Sequence, residues 1–279
     1  MLLRIISALS AVGALILCVM TEAFDTLQWI WLLPVSLLGG FLLWTLVAFL
    51  FLFLACAVVD PDKPQEKDSK FYRGLVDLCA EAILTVGRVH VEATGLEQTP
   101  KDGRFLLVCN HLHEADPAIL LRYFRKSQIA FVSKQENKNM FLVGKLMPKL
   151  LCPLINREND REALKTILRC IQLLKEDKVS IGIFPEGYIH ADRKFHHFRP
   201  GVFKIAQKAD VPIVVCTIRD THYIIPNFLK GKPSKVQLHL LTVVPAEYVK
   251  SKTTVELAEE IHDLMAQDLG DDYRPEENT

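Results

Sequence analysis

"RFLLVCNHLHEADPAILLRYF", Arg104 to Phe124, changes pattern twice within 21 residues. Phe105 to Cys109 form a short, unbroken apolar run of the kind that makes a buried strand. From Asp116 onward the segment "DPAILLRYF" carries the marks of a helix start, an acid at the cap and Pro117 at the first helical position. The join is "NHLHEAD", Asn110 to Asp116, with two histidines and two acids. Strand, polar loop and helix are the unit from which α/β folds are built, and ligands in such folds sit at the carboxyl ends of strands. His111 falls at that position.

The alternation continues on both sides of this stretch. "VHVEATG" before it has period two, and "IAFVS" and "CPLINR" after it are further short buried runs. A helix is expected from Arg161 to Glu176, then the strand "VSIGIFP", the helical "PGVFKIAQKA", and the strands "VPIVVCTI" and "VQLHLLTVV". Thr253 to Glu256 form a capping-box pattern that opens a last amphipathic helix. The expected fold is α/β, a mostly parallel central sheet flanked by helices. Apolar positions from Phe71 to Thr85 recur at helical spacing, a helix that could lie on the membrane or on the domain.

Charge divides the chain. Lys plus Arg equal Asp plus Glu at 33 each, so the formal net charge is zero. No basic stripe with interleaved aromatics appears, which leaves no pull toward nucleic acid. Residues 1–59 hold only Arg4, Glu22 and Asp25 as charged side chains. Ile5 to Met20 and Trp29 to Val59 read as two membrane spans around a short acidic gap, against a hydrocarbon core of about 30 Å. The second is long enough to tilt, or to kink near Pro34 or Gly39-Gly40. Basic residues flank the outer ends, so both termini are expected on the cytoplasmic side. A cleaved signal peptide is the alternative for the first span, and the second apolar segment favours retention. The seven cysteines form no CxxC pair, which fits reduced thiols better than a disulfide framework. The expected organisation is an anchor over 1–59, a linker over 60–70, a catalytic domain over 71–270 and a polar tail over 271–279.

Four residues separate His111 from Asp116. A tight loop can return the carboxylate to one imidazole nitrogen, fix the tautomer and leave the other nitrogen basic. That is the base and orienter of a triad with no protein nucleophile: there is no GxSxG and no cysteine in a nucleophile context. The hydroxyl to be activated then belongs to the substrate. The bland alternative is that Asp116 caps a helix and His111 bonds the loop. A metal reading through His111, His113 and Glu114 lacks any HExxH or Cys/His cluster.

Three further blocks follow in order: "INR" ending at Arg157, "FPEG" at Phe184 to Gly187, and "VPIV" at Val211 to Val214. In this order the chain resembles the glycerolipid acyltransferase superfamily, and within it the bacterial 1-acyl-glycerol-3-phosphate acyltransferases. The family's blocks are Asn-His-x-Ser-x-x-Asp, an aliphatic-x-Arg, Phe-Pro-Glu-Gly-Thr-Arg-Ser and Val-Pro-Ile-Val. The resemblance covers about residues 75–225, and Lys134 in "SKQE" has a family counterpart. Two departures stand out. His113 replaces Ser, and Tyr188, Ile189 and His190 replace Thr-Arg-Ser, which removes one cation. Arg193, Lys194 or Arg199 could substitute, and the sequence does not choose among them.

The resemblance implies acyl transfer. His111 would deprotonate the hydroxyl of a lysophospholipid, and the alkoxide would attack the thioester of acyl-CoA or acyl carrier protein. Asp116 would orient His111, and an Asn there would hold the wrong tautomer. Backbone amides after His111 are the expected oxyanion donors. Arg157, with Lys134 assisting, would bind the acceptor phosphate, and its fork geometry suits that ligand. The alternative is a surface ion pair with Glu158 or Asp160. Glu186, beside Gly187, would bind the acceptor glycerol or support Arg157; a simple turn carboxylate is the alternative. Lys138, Lys145 and Lys149, spaced by seven and four, could form one basic helical face toward anionic headgroups or a solvated face.

No metal or resident cofactor is expected. The partners implied are the lysophospholipid, the acyl thioester and the membrane, with acyl carrier protein a further candidate; the place implied is the cytoplasmic face of the cell membrane. Glycerol-3-phosphate, lyso-ornithine or another lysolipid is the rival acceptor. A lipid-binding protein without chemistry and a metal-assisted lipid hydrolase are the rival classes.

Overall fold

The structure, a computed structural model, describes residues 1–63 and 65–275. Pro64 of the expected linker and residues 276–279 of the expected tail lie outside the described residues. The chain divides into two compact units, Met1–Asp60 and Pro61–Thr279.

The first unit is a helix pair, α1 (Leu2–Met20) and α2 (Trp29–Ala57), joined through a single turn at Ala23–Asp25. Both helices are long and apolar enough to cross a membrane. α1 buries Ile6, Ser10, Ala14 and Cys18, one residue per turn. Small side chains on such a stripe let two helix backbones approach closely. α2 leaves most of its large apolar side chains exposed, Trp31, Leu38, Leu46 and Phe51 among them.

The second unit alternates helices and strands in the order α3 (Lys70–Val86), β1 (Val89–Thr94), β2 (Leu106–Cys109), α4 (Asp116–Tyr123), β3 (Ile129–Phe131), β4 (Ser133–Lys134), α5 (Val143–Lys149), β5 (Leu154–Ile155), α6 (Asp160–Lys175), β6 (Ser180–Ile183), α7 (Lys204–Ala209), β7 (Ile213–Arg219), α8 (Ile224–Leu229), β8 (Ser234–Val244), α9 (Ala246–Ser251) and α10 (Thr254–Leu269). Six strands form one sheet in the order β1-β8-β7-β2-β6-β3, and β4 pairs β5 in a separate ribbon. Every pair in the large sheet is parallel except β7 with β8. The expected mostly parallel sheet flanked by helices is present.

β2 shows how burial is shared. Leu106 and Val108 face a layer formed with α6, α7, α9 and α10, which contribute Leu173, Ile205, Val249 and Ile261. Leu107 and Cys109 face the opposite layer, where α3, α4 and α8 supply Leu84, Ile119 and Ile224. A strand covered on both faces needs no polar alternation, which is why its sequence is uniformly apolar. The capping box at Thr253 forms as expected, with Glu256 N–H donating to Thr253 Oγ1 and Thr253 N–H to the Glu256 carboxylate.

α3 packs on the domain. Arg73 donates to the carbonyls of Gln128 and Ile129 at 3.0 and 2.9 Å and pairs with Asp68. Two expectations are corrected. Lys138, Lys145 and Lys149 do not share a helical face, because Lys138 lies in a separate turn over Gln135–Asn139 and α5 begins only at Val143. Leu142, at φ 60°, breaks the helix between them. Lys138 pairs with Asp62, and Lys149 reaches Gln65 at 3.0 Å, so both hold the 61–70 segment. The tail is also shorter than expected. Tyr273 is buried, its carbonyl accepts from Phe195 N–H at 2.7 Å, and its hydroxyl bonds Asp220.

Gly182 in β6 has no room for a side chain. A Cβ there would lie 2.5 Å from the Phe131 ring and 2.8 Å from Ile129. Gly182→Ala is therefore expected to cost about 1–3 kcal/mol by overpacking, read as a lowered midpoint in denaturant. An unchanged midpoint would show that β3 yields freely.

Candidate active site

β2 and β6 are parallel neighbours in mid-sheet, with Val108 opposite Ile183. Their carboxyl ends therefore open side by side, and the loops that follow bring "NHLHEAD" and "FPEG" together across 75 positions of sequence. Asn110 fastens the first loop. It is fully buried, donates from Nδ2 to Ile218 O and accepts from Ile218 N–H at Oδ1, both at 2.8 Å, which ties the end of β2 to β7.

Asp116 opens α4 but does not cap it. Its Oδ2 turns back and accepts from three donors: His111 Nδ1 at 2.9 Å, Leu112 N–H at 2.7 Å and His113 N–H at 2.9 Å. Two backbone amides already make that oxygen an acceptor, so Nδ1 must carry the imidazole proton and Nε2 presents its lone pair. Oδ1 of the same group is buried without a partner. The His111 side chain retains 16% exposure while that of Asp116 has none, so the imidazole is reachable and the carboxylate that holds it is not. The imidazole lies flat against Phe184, ring centres 4.0 Å apart, and Phe184 stacks in turn on Phe131 at 5.3 Å. The ring that Gly182 admits is thus the far end of the stack that supports His111.

His113 is a loop residue. Its Nδ1 accepts from Ala115 N–H at 3.1 Å, so the position asks for an acceptor two residues before Ala115. The Ser of the family pattern and the His here both supply one. That bond also removes His113 from any metal set with His111. Of the loop amides expected to serve as oxyanion donors, Leu112 and His113 N–H are held on Asp116 and Ala115 N–H on His113 Nδ1; His111 N–H itself is held on Glu186.

Glu186 is 2% exposed, and each of its oxygens takes a backbone amide, Oε1 from His111 at 2.9 Å and Oε2 from His196 at 3.0 Å. Burial pushes its carboxyl up to about 7, against the pull of those two hydrogen bonds. In this arrangement it brackets two loops. Glu186→Gln offers one acceptor oxygen for two amides, leaving a buried donor unpaired at about 1–3 kcal/mol. The expected result is a fall in kcat of at least about tenfold, with both Michaelis constants nearly unchanged. A pure rise in the acceptor constant would return Glu186 to the role of substrate ligand.

The cations sort themselves. Arg193 donates to Leu112 O at 2.7 Å, clamping the His111 loop, and Lys194 donates to Asp272 O at 2.7 Å. Arg199 lies against Gly187, where a Cβ would come within 3.0 Å of its Nε and where φ is +93°. Arg157 is half-buried. Burial, then the neighbouring Arg199, lower its pKa, while Glu136 raises it. Among the described residues neither Arg157 nor Arg199 makes a side-chain ion pair, with Glu158, Asp160 or any other acid. Lys134 is exposed on β4, opposite Ile155 and so close along the chain to Arg157.

Reasoning from the sequence missed Asn110, Phe131, Phe184 and the clamp at Arg193. Asn110 was visible as a polar residue closing an apolar strand; the aromatic stack had no signal in one dimension.

The acyltransferase family profile matches residues 90–219. A "probable 1-acyl-sn-glycerol-3-phosphate acyltransferase" of Mycoplasma pneumoniae is 32% identical over 159 residues, 56% of this chain and 57% of that one. The Borreliella burgdorferi 1-acyl-sn-glycerol-3-phosphate acyltransferase is 24% identical over 188 residues, 66% of this chain and 74% of its own. The fold matches the crystal structure of the 1-acyl-sn-glycerophosphate acyltransferase PlsC from Thermotoga maritima, with a TM-score of 0.57 and 24% identity over 80% of this chain and 94% of that one.

Proposed function

We propose, from the match of the acyltransferase family profile to residues 90–219, that the chain acylates the free hydroxyl of a lysophospholipid from a thioester donor, acyl-CoA or acyl carrier protein. The acceptor is 1-acyl-glycerol-3-phosphate and the product phosphatidic acid, in keeping with the names of the relatives. The observation that carries the reading is His111 with its Nδ1 proton held by a buried carboxylate and its Nε2 unpartnered among the described residues. Among the described residues no serine, threonine or cysteine side chain bonds that nitrogen, which supports a hydroxyl that arrives with a substrate.

His111 Nε2 removes the proton of the acceptor hydroxyl as its oxygen attacks the thioester carbonyl. The tetrahedral adduct collapses with cleavage of the C–S bond, and the imidazolium returns its proton to the leaving thiolate. Asp116 Oδ2 stabilises the imidazolium while it exists. Arg157 and Arg199, two neighbouring guanidiniums that make no ion pair among the described residues, hold the acceptor phosphate. The test is an acceptor panel with labelled acyl-CoA, products read by mass spectrometry. Phosphatidic acid from lysophosphatidic acid supports the reading. Acylation of glycerol-3-phosphate or of a neutral lysolipid in its place overturns the acceptor, and no thiol release with any acceptor overturns the chemistry.

The charge asymmetry of residues 1–59 supports a two-span anchor with both ends cytoplasmic. Tags at either terminus are expected to resist external protease in intact cells, and a reporter at Asp25 to face outward. A cytoplasmic signal from Asp25 would exclude this topology.

A further inference from the structure

We propose that His190, Asp192 and His196 form a binding site for one divalent transition-metal ion of the zinc class. They lie between β6 and α7, in the segment that replaces the family's Thr-Arg-Ser and continues beyond it. One donor atom from each lies within 4.8 Å of the others. His196 Nε2 already sits 3.1 and 2.9 Å from the two Asp192 oxygens. The His190 ring stacks on His196 with centres 3.6 Å apart and planes 14° from parallel.

Metal–ligand distances of about 2.0–2.2 Å place tetrahedral donors about 3.3 Å from one another. Closing the set from 4.8 Å to that spacing requires the stacked imidazoles to turn toward a common point. Two imidazoles and one carboxylate favour zinc and its neighbours over magnesium or calcium, which prefer oxygen. Three protein ligands leave a fourth position for water.

The backbone around these side chains folds them together. Arg193 N–H bonds His190 O at 3.1 Å and Lys194 N–H bonds Asp192 Oδ1 at 3.0 Å, bringing the three donors onto one side of a turn. The sequence hides the site because His-x-Asp-x3-His matches none of the familiar spacings. The ion's place is structural. His196 N–H rests on Glu186 Oε2, and Glu186 Oε1 holds His111 N–H, so a metal at this turn steadies the loop that positions the base without touching the reacting atoms.

The test uses full-length, tag-free protein in detergent, stripped with chelator and titrated with Zn²⁺. Bound metal is counted by elemental mass spectrometry, and affinity is read by competition with a chromophoric chelator. One Zn²⁺ per chain is expected, with no comparable binding of Mg²⁺. Asp192→Asn should weaken binding at least about tenfold, since even outer contacts of metal sites are worth that much. His190→Ala with His196→Ala should abolish it. Zn²⁺ should also raise the melting temperature of the parent and leave that of the double variant unmoved, because a ligand stabilises only the fold that binds it. Retention of one Zn²⁺ by a double variant that melts like the metal-free parent would overturn the site. So would a folded parent that binds no Zn²⁺.

Discussion

His111→Ala brings thiol release from acyl-CoA down to background, while Asp116→Asn lowers turnover by about 10³ and stops there. The first follows from the proposed role of His111 as the base on the acceptor hydroxyl. The second follows from which oxygen of Asp116 does the holding. In the serine-protease precedent an Asn in the orienter's place costs about 10⁴ because the imidazole adopts the wrong tautomer, and the sequence alone leads to the same expectation here. The geometry changes it. All three donors converge on Oδ2, and Oδ1 has no partner. The Leu112 and His113 amides will select the amide oxygen of an Asn for that place and turn its NH₂ toward the empty side. Nδ1 then keeps its proton and Nε2 stays basic.

What is lost is the carboxylate charge opposite the imidazolium, about 4 kcal/mol for unit charges 4 Å apart at an effective dielectric of 20, hence roughly a thousandfold. The NH₂ is buried without an acceptor, so the variant also melts earlier. Asp116→Ala frees the ring and leaves two buried amides unpaired, and it should fall below Asp116→Asn. Turnover numbers with both substrates saturating decide the order. Equal losses in Asp116→Asn and His111→Ala would mean that the amides do not select the tautomer.

The second large effect belongs to Arg157 and Arg199. Each charged hydrogen bond to phosphate is worth about 1.5–3 kcal/mol, so each single Ala variant should lose about tenfold to a hundredfold in kcat/KM for the acceptor. The double variant should lose about 10²–10⁴ by the same conversion. The donor constant should hardly move. Arg157→Lys keeps the charge and loses the planar fork, so it should be impaired more than a charge count implies. A second signature separates an anion site from a structural pair. Burial first, and the like charge of Arg199 second, disfavour the charged form of Arg157 in the free protein, while Glu136 favours it. Arg199→Ala should therefore raise the melting temperature without ligand while it weakens acceptor use. A variant that lost both stability and donor saturation would place Arg199 in the scaffold.

Much of this is legible in the order of residues along the chain. Period-two and unbroken apolar runs mark the strands because a sheet covered on both faces leaves few other solutions, and the first of the four blocks marks the His111–Asp116 pair. The choice among Arg193, Lys194 and Arg199 is not legible there, because it depends on which carbonyl each guanidinium or ammonium reaches across the fold. For Glu186 the resemblance implies a contact with the acceptor glycerol or support of Arg157, and its neighbours Pro185 and Gly187 show only a turn; that its two oxygens bracket His111 and His196 is a fact of strand order. The lysine face fails at Leu142, whose left-handed backbone no spacing rule detects. Tyr273 sits among acidic and polar neighbours that read as a tail, and its burial arises from Phe195 and Asp220, far away in sequence.

The position of β1 governs how the chain can be made. It lies at the edge of the sheet with β8 as its one neighbour, and Val89 pairs with Ser234, 145 residues later. At translation rates of about 5–20 residues per second, β1 waits roughly 7–30 s for its partner to be synthesised. During that interval its backbone donors and acceptors form an open edge, and Val89, Val91 and Ala93 lack the β8 side of their packing. Such an edge is a template for pairing with a second chain. A ribosome stalled anywhere in α6 or β7 would release a product whose catalytic loop is already encoded yet whose first strand is adhesive. The interval in which β1 is open to a second chain thus ends only as the last quarter of the domain is made.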